Sequence, residues 1–318
     1  MTFLKINKLP LYIIPFVIGV LTSYSLPPYS FFFINFFTFP LLLYYLLLNQ
    51  KNGKWTSFKI GWMFGFGYFL SNLYWIVNSL TFEEVFINLI PFALILVPLF
   101  LGIFYGFATL LSSFFNLKKN FSSIIIFTVF FSVIEYLRSF ILGGFPWNLI
   151  VYSFTDYLEM IQTVSLIGTY SLNLISITLF LLPTIIFFNY KKKNKIFLLS
   201  FIVFILFFNF IYGSTNLKKY EKTKKIDLDF VIKVISPKID IERFYQNEET
   251  EKIILDLVKI SNPSKLKNTL FIFPEGVISN IYLQDLKNYS YVFKESFSDK
   301  HKIILGISSY ENSKIFNS

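Results

Sequence analysis

The sequence predicts a polytopic α-helical membrane domain of about seven spans followed by an incomplete α/β domain. Three observations predict it. Hydrophobic residues make up 54% of the 318 and charged residues only 15%, against roughly 25% charged in an ordinary soluble domain. The charges are uneven: residues 1–217 hold 12 Lys and Arg and 5 Asp and Glu, whereas the remaining 101 hold 17 and 14. Stretches without a charged residue recur at 9–50, 60–82, 85–117, 160–190 and 196–217, with a shorter one at 120–134; a bilayer crossing needs about 20 apolar residues.

The first stretch is too long for one span, and Pro27-Pro28 divides it, because proline removes a backbone donor and disrupts a helix. The predicted spans are 9–26, 30–49, 58–80, 87–115, 120–139, 161–189 and 196–213, with Pro91 and Pro98 kinking the fourth or shifting its start. Lipid offers no partner to an unpaired backbone group, so these spans are helices. The 43 Phe read mostly as lipid-facing filler. Residues 1–213 therefore form the membrane domain, 214–225 a basic polar linker, and 226–318 the α/β part.

Orientation follows from the basic residues. Lys5 and Lys8, then Lys51, Lys54 and Lys59, then Lys118 and Lys119, then Lys191, Lys192, Lys193 and Lys195 lie in alternate loops; the other loops hold Arg138 with Glu83, Glu84, Asp156 and Glu159. That asymmetry places the N-terminus in the cytoplasm, and seven crossings place the C-terminal domain outside it. A cleaved signal peptide fits poorly, since no small-x-small pattern follows residues 1–26.

The net charge of +10 does not indicate nucleic acid, because the basic residues of the first part set orientation and those of the second face a similar number of acidic ones. With no cysteine and a single histidine, His301, neither a disulfide framework nor a thiolate or zinc centre is expected. No cofactor and no metal are implied.

Beyond the linker, Leu228–Ile235 reads as a buried strand, Glu248–Ile260 as an amphipathic helix with Ile253, Ile254, Leu257 and Val258 on one face, and Asn268–Phe273 as a second strand. A helix near Tyr291–Ser298 and a strand at Lys302–Ser308 follow. Alternating strands and helices indicate an α/β domain, and a further strand begins as the sequence reaches Ser318, so the sheet reads as cut short.

Glu275, directly after an apolar strand, stands where open α/β sheets gather functional groups; burial and a neighbouring charge would suit it to general-base work, and a turn residue facing water is the other reading. Glu135 and Arg138 share one helical face at the end of the fifth span, either marking a function in lipid or neutralising each other and fixing helix packing. Gly143–Asn148 reads as an outer turn in which Trp147, like Trp75, anchors at the headgroup level or lines a lipid-entry site. Gly61, Gly65 and Gly67 fit close helix packing.

Three stretches together resemble the apolipoprotein N-acyltransferase family. Gly61–Leu70 continuing to Leu73-Tyr74-Trp75-Ile76 looks like its third span. Glu135-Tyr136-Leu137-Arg138 with Gly144-Phe145-Pro146-Trp147-Asn148 looks like its membrane signature. Phe271-Ile272-Phe273-Pro274-Glu275 is similar to the strand ending in the catalytic glutamate of its nitrilase-like domain, an αββα sandwich. The resemblance implies an enzyme of the bacterial cytoplasmic (inner) membrane, with that domain periplasmic. It moves an acyl chain from a phospholipid to the N-terminal diacylglyceryl-cysteine of a lipoprotein, through a thioester on a cysteine.

A glutamate is the base there and a lysine stabilises the oxyanion. Carried over, Glu275 is the general base; Phe145, Pro146 and Trp147 are lipid-adjacent; and Tyr245 falls about where the family often has a tryptophan. Nothing in the sequence matches the family's lysine or cysteine. The resemblance therefore implies a C-terminally truncated or split acyltransferase, inactive alone, with a separate chain as partner supplying both. The alternative is a non-catalytic membrane protein that binds lipid or lipoprotein; a transporter ranks last, as the span interiors offer mainly Asn, Ser and Thr.

Overall fold

The computed structural model describes residues 8–188, 190–222, 229–237, 250–278, 281–311 and 314–317. The chain divides into two compact units, Met1–Thr223 and Lys224–Ser318.

The first unit is helical. Helices α1 (Lys8–Ser23), α2 (Asn35–Asn49), α3 (Lys54–Asn72), α4 (Ile90–Ser113) and α5 (Phe121–Arg138) are followed by two single turns, α6 (Leu158–Ile161) and α7 (Val164–Ile167), then by α8 (Thr169–Leu181) and α9 (Lys192–Glu221). Among the described residues, five helical runs are long and apolar enough to cross a membrane: Phe32–Asn52, Glu84–Ser113, Phe121–Arg138, Thr169–Phe187 and Lys192–Glu221. Their outer faces carry Phe92, Leu96, Phe100, Phe107, Phe204 and Phe207 exposed. Water would penalise so much bare apolar surface, and this is a membrane protein.

Several boundaries differ from the sequence expectation, each for a local reason. The predicted 58–80 helix stops at Asn72, because Leu73 at φ −109° and ψ 12° leaves the α-helical range, and tight 3₁₀ turns carry Tyr74–Thr81 and Glu84–Leu89. Helix α4 starts at Ile90 with Pro91 in its first turn, where a missing N–H costs nothing. The predicted 161–189 helix is broken at Gly168, whose φ of +78° lies outside the range a helix allows. The stretch expected as a linker from Ser214 stays helical to Glu221, since nothing between Ser214 and Glu221 breaks a helix.

Helices α1 and α3 run side by side in the same direction, Lys59 lying over the Tyr12 ring and Gly19 against Phe64 and Tyr68. Helix α4 runs opposite to α3, with Lys54 3.5 Å over the Phe114 ring and Gly65 against Gly102. These crossings need glycine: a Cβ at Gly67 would overlap the Phe16 carbonyl, and one at Gly61 would overlap the Thr109 hydroxyl and the Tyr105 carbonyl. Close backbone approach of this kind packs helices in lipid, where no hydrophobic drive separates them from the solvent. Accordingly, Gly61→Val is expected to lower stability by roughly 1–3 kcal/mol through overpacking, read as a lowered melting temperature in detergent; an unchanged melt would sink this account of the α3–α4 contact.

Phenylalanine is not only lipid-facing filler. Phe39, Phe64, Phe69, Phe127, Phe131 and Phe180 are fully buried, their rings interlocked with Tyr105 and Tyr68. One end of the bundle collects lysines and their aromatic partners, Lys54 with Phe114, Lys119 with Tyr44, and the Tyr190 hydroxyl accepting the Phe121 N–H at 2.8 Å. The other end collects Tyr24, Tyr68, Arg138, Asn148 and the Ser30–Asp156 hydrogen bond.

In the second unit β1 (Val231–Val234), β2 (Thr269–Ile272) and β3 (His301–Ile304) form a parallel sheet in the order β1-β2-β3. Helix α10 (Thr250–Ser261) links the first pair, and α11 (Leu283–Leu286) with α12 (Ser290–Ser296) the second; a hairpin of β4 (Ser308–Glu311) and β5 (Lys314–Asn317) follows. Helical crossovers between parallel strands are what an α/β layer requires. Phe271 and Phe273 bury against Ile253, Ile254 and Leu257 of α10 and Val292 of α12. The Tyr291 phenol, pushed up to about 12 chiefly by its hydrogen bond to Glu251, ties α12 to α10. Lys233 donates to the Ser261 and Asn262 carbonyls at 3.1 and 3.0 Å, satisfying the end of α10. His301 takes the Ser298 N–H on Nδ1 and faces the Ser264 carbonyl.

Among the described residues, only one face of this sheet is covered. The register sets Ile232 and Val234 beside Leu270 and Ile272, and these beside Lys302 and Ile304. Val234 is 72% exposed and Ile304 54%.

Candidate functional site

Two sets of residues singled out by the sequence fall in different units. The first surrounds the end of α5. Glu135 and Arg138 are fully buried and three residues apart, so one helical turn brings them to the same face. Arg138 Nη2 lies 3.9 Å from Glu135 Oε1. The Tyr105 hydroxyl donates to Glu135 Oε1 at 2.8 Å and Asn173 Nδ2 to Oε2 at 2.5 Å. Asn173 is itself held, its Oδ1 accepting the Val151 N–H at 2.9 Å. The carboxylate is thus fully engaged, as a buried charge must be.

Arg138 is engaged at both ends. Its backbone carbonyl accepts the Phe145 N–H at 2.9 Å and its Nη1 donates to the Trp147 carbonyl at 2.9 Å. The Tyr68 hydroxyl donates to the Asn148 carbonyl at 3.0 Å. Gly144, at φ +80°, lets the chain turn, and a Cβ there would overlap the Ser139 carbonyl. The guanidinium lies 5.2 Å from the Phe69 ring and 5.7 Å from the Phe145 ring, a cation–π arrangement. Phe145 and Trp75 both pack on Trp147, at 5.5 and 5.7 Å, yet Trp147 stays 53% exposed, and Pro146 beside it is exposed too. The ion pair therefore fixes a loop that presents an aromatic surface. Beside it, Phe145, Arg138, Ile76, Val97, Phe100 and Phe104 line a groove of about 370 Å³, apolar apart from the one guanidinium.

Tyr105 and Asn173 are essential to this cluster and the sequence reading passed over them. A polar side chain within an apolar span was the available signal.

The second set is Glu275. It follows β2 beyond the last ladder bond, in which the Phe273 N–H donates to the Ile304 carbonyl at 2.9 Å. Gly276, at φ +67°, turns the chain and donates its N–H to the Gly306 carbonyl at 3.2 Å. A Cβ at Gly306 would lie 3.0 Å from Glu275 Cα, so the loop after β3 passes directly against Glu275. Val277 and Ile278 anchor the turn in the core. The carboxylate stands at the C-terminal edge of a parallel sheet, where α/β folds place ligands. It is exposed, which differs from the strand burial expected for it: β2 ends at Ile272, and the chain has turned outward by Pro274. Tyr245 lies outside the described residues. Among the described residues no cluster of His, Cys, Asp and Glu is fit to hold a metal ion.

Residues 18–182 match the family described as the apolipoprotein N-acyltransferase N-terminal domain. The chain belongs to the apolipoprotein N-acyltransferase family. The apolipoprotein N-acyltransferase of Agrobacterium fabrum is 30% identical over 283 residues, covering 84% of this chain and 52% of that protein. That of Rickettsia typhi is 34% identical over 247 residues, 74% of this chain and 47% of its own length, and that of Brucella melitensis 26% identical over 278 residues, 84% and 52%. The chain spans about half the length of these curated relatives. Within the family match lie the whole Glu135–Arg138 cluster and the aromatic turn; Glu275 lies beyond it.

Proposed function

We propose that this chain supplies the membrane domain and the first part of the nitrilase-like domain of an apolipoprotein N-acyltransferase. In that reading seven helices, α1 to α5 with α8 and α9, cross the bacterial inner membrane. An acyl chain passes from a phospholipid to a cysteine thiolate as a thioester, and then to the amino group of a diacylglyceryl-cysteine lipoprotein. Glu275 is the general base. It takes the proton of the thiol and passes it to the departing lysophospholipid oxygen, then takes the proton of the amine and returns it to the cysteine sulfur as the amide forms, while a lysine stabilises the oxyanion.

The observation that carries this reading is the position of Glu275. It is held at the C-terminal edge of a parallel sheet by Gly276 and Gly306 in a chain of this family. Phe145, Pro146 and Trp147 shape the lipid-facing wall, and the adjoining apolar groove suits an acyl chain. The bare sheet face of Ile232, Val234 and Ile304 suits the second sheet of an αββα sandwich. These 318 residues contain no cysteine and no lysine matching the family's, so in this reading both groups are supplied by other polypeptide, a separate chain being one source.

The gathering of lysines at one end of the bundle supports a cytoplasmic assignment for that end and a periplasmic one for Glu275. A cysteine-free chain makes the test direct. With Lys287→Cys the protein is expected to react with a membrane-impermeant maleimide in intact spheroplasts; with Lys192→Cys it is expected to react only after permeabilisation. The reverse pattern removes the proposal, since no lipoprotein acceptor would meet Glu275.

A further inference from the structure

The hairpin β4–β5 follows directly on the loop that passes Glu275, and the transfer reaction leaves it without a role. A two-stranded hairpin is marginally stable in water by itself, so its position has to be supported from outside. Helix α11 supplies that support through one side chain. Gln284 Nε2 donates to the Tyr310 carbonyl at 2.6 Å, and the Tyr310 N–H donates to Gln284 Oε1 at 3.4 Å. One amide thus takes both backbone groups of a single strand residue, as a neighbouring strand would. The Tyr282 ring, at the N-cap of α11, meets the Tyr310 ring edge-on with centroids 5.2 Å apart, an arrangement that aromatic pairs favour.

The same strand leads back to Glu275. Before β4 come Ile307, which is buried, and Gly306. The Gly306 carbonyl accepts the Gly276 N–H at 3.2 Å, and Gly306 passes within contact of the Glu275 backbone. After Glu275 the chain runs through the buried Val277 and Ile278 to α11 itself. Two cross-links therefore join these segments, Gly276 to Gly306 beside the carboxylate and Gln284 to Tyr310 beyond it. The first is one hydrogen bond at an exposed turn, and such a bond contributes little alone. The second keeps the two segments from parting.

We propose that Gln284 is a positioning residue for Glu275. By pinning β4 at Tyr310 it keeps the Gly306 loop against the glutamate and so fixes where the carboxylate is presented. The inference rests on the reading of Glu275 as general base. Gln284 does no chemistry itself, and its effect reaches the reaction through the glutamate. A displacement of about 1 Å can lower a rate by about 10²-fold, so a loosened loop shows in kcat and not in binding.

The first measurement follows hydrogen–deuterium exchange in the whole 318-residue chain in detergent. With Gln284→Ala the peptide containing Gly276 is expected to exchange about tenfold faster, the scale of one lost hydrogen bond, while α10 keeps its protection. Unchanged exchange at Gly276 overturns the proposal. Gln284→Glu keeps the bond from the Tyr310 N–H but has no proton for the carbonyl at neutral pH. It is expected to give a smaller rise, and it decides the matter if the alanine variant loses α10 protection.

The second measurement adds polypeptide carrying the family's lysine and cysteine. Gln284→Ala is expected to lower kcat by about tenfold or more with KM within about twofold. In a Glu275→Gln background it is expected to lower kcat no further, since both changes act through one group. Losses that multiply in the double variant, or a loss confined to KM, overturn the positioning role. If no combination transfers an acyl chain, the general-base reading falls and the positioning role with it; the exchange result separates that failure from a failure of the link between Gln284 and Glu275.

Discussion

Reconstituted with phospholipid and a diacylated lipopeptide, the 318-residue chain is expected to form no thioester and transfer no acyl chain. A carboxylate base alone cannot hold an acyl group, and the sequence contains no cysteine to become the activated nucleophile that covalent catalysis needs. Adding polypeptide that carries the family's lysine and cysteine is expected to restore transfer. In the restored system Glu275→Gln should then lower turnover by roughly 10²–10⁴-fold, the usual contribution of a positioned acid–base group. Gel-shift of the lipopeptide reads the product, and alkylation of the thiol reads the thioester. Three outcomes separate cleanly. Turnover by the chain alone removes the thioester route. Restored transfer indifferent to Glu275→Gln removes the glutamate. No transfer in any combination returns the chain to the non-catalytic, lipid-binding reading.

The second large effect is expected at Arg138. Truncation by Arg138→Ala leaves the Glu135 carboxylate buried at 0% exposure without its cation and frees the Trp147 carbonyl that Nη1 holds. Breaking a buried pair from one side costs about 3–5 kcal/mol, whereas replacing both partners by apolar groups of similar volume is often neutral. Denaturant unfolding in mixed micelles should therefore rank the single Arg138→Ala far below the double Glu135→Leu/Arg138→Met. Arg138→Lys should fall between, since an ammonium keeps the charge and loses the planar fork. A single substitution costing under about 1 kcal/mol would show that the pair contributes little in lipid. Loss of order at Trp147, seen as a shift in its emission, is expected alongside, because the same guanidinium fixes that loop.

Much of this was legible from residue order. Burial of greasy helices depends mainly on local composition, so the positions of α2, α4, α5 and α9 follow from charge-free runs. Gly61, Gly65 and Gly67 read as close packing from their spacing and are in close packing. The strands around Phe271 and Ile303 follow from short apolar runs. Less legible were the helix ends, which single backbone conformations decide: Gly168 breaks one predicted span, and Leu73 ends another where its backbone leaves the helical range. Periodicity carries no trace of either.

What the sequence determined by itself was the partition into a lipid-facing part and an α/β part, the clustering of lysines in alternate loops, and Glu275 at a strand's end. Those are properties of composition and neighbour order, which hold whatever the chain packs against. Tertiary structure decided the partners. It brought Tyr105 from α4 and Asn173 from α8 onto one carboxylate and set Gly306 against Glu275. Each of those contacts joins residues far apart in the chain, and a distance in space between remote residues is fixed only when the backbone has folded around both.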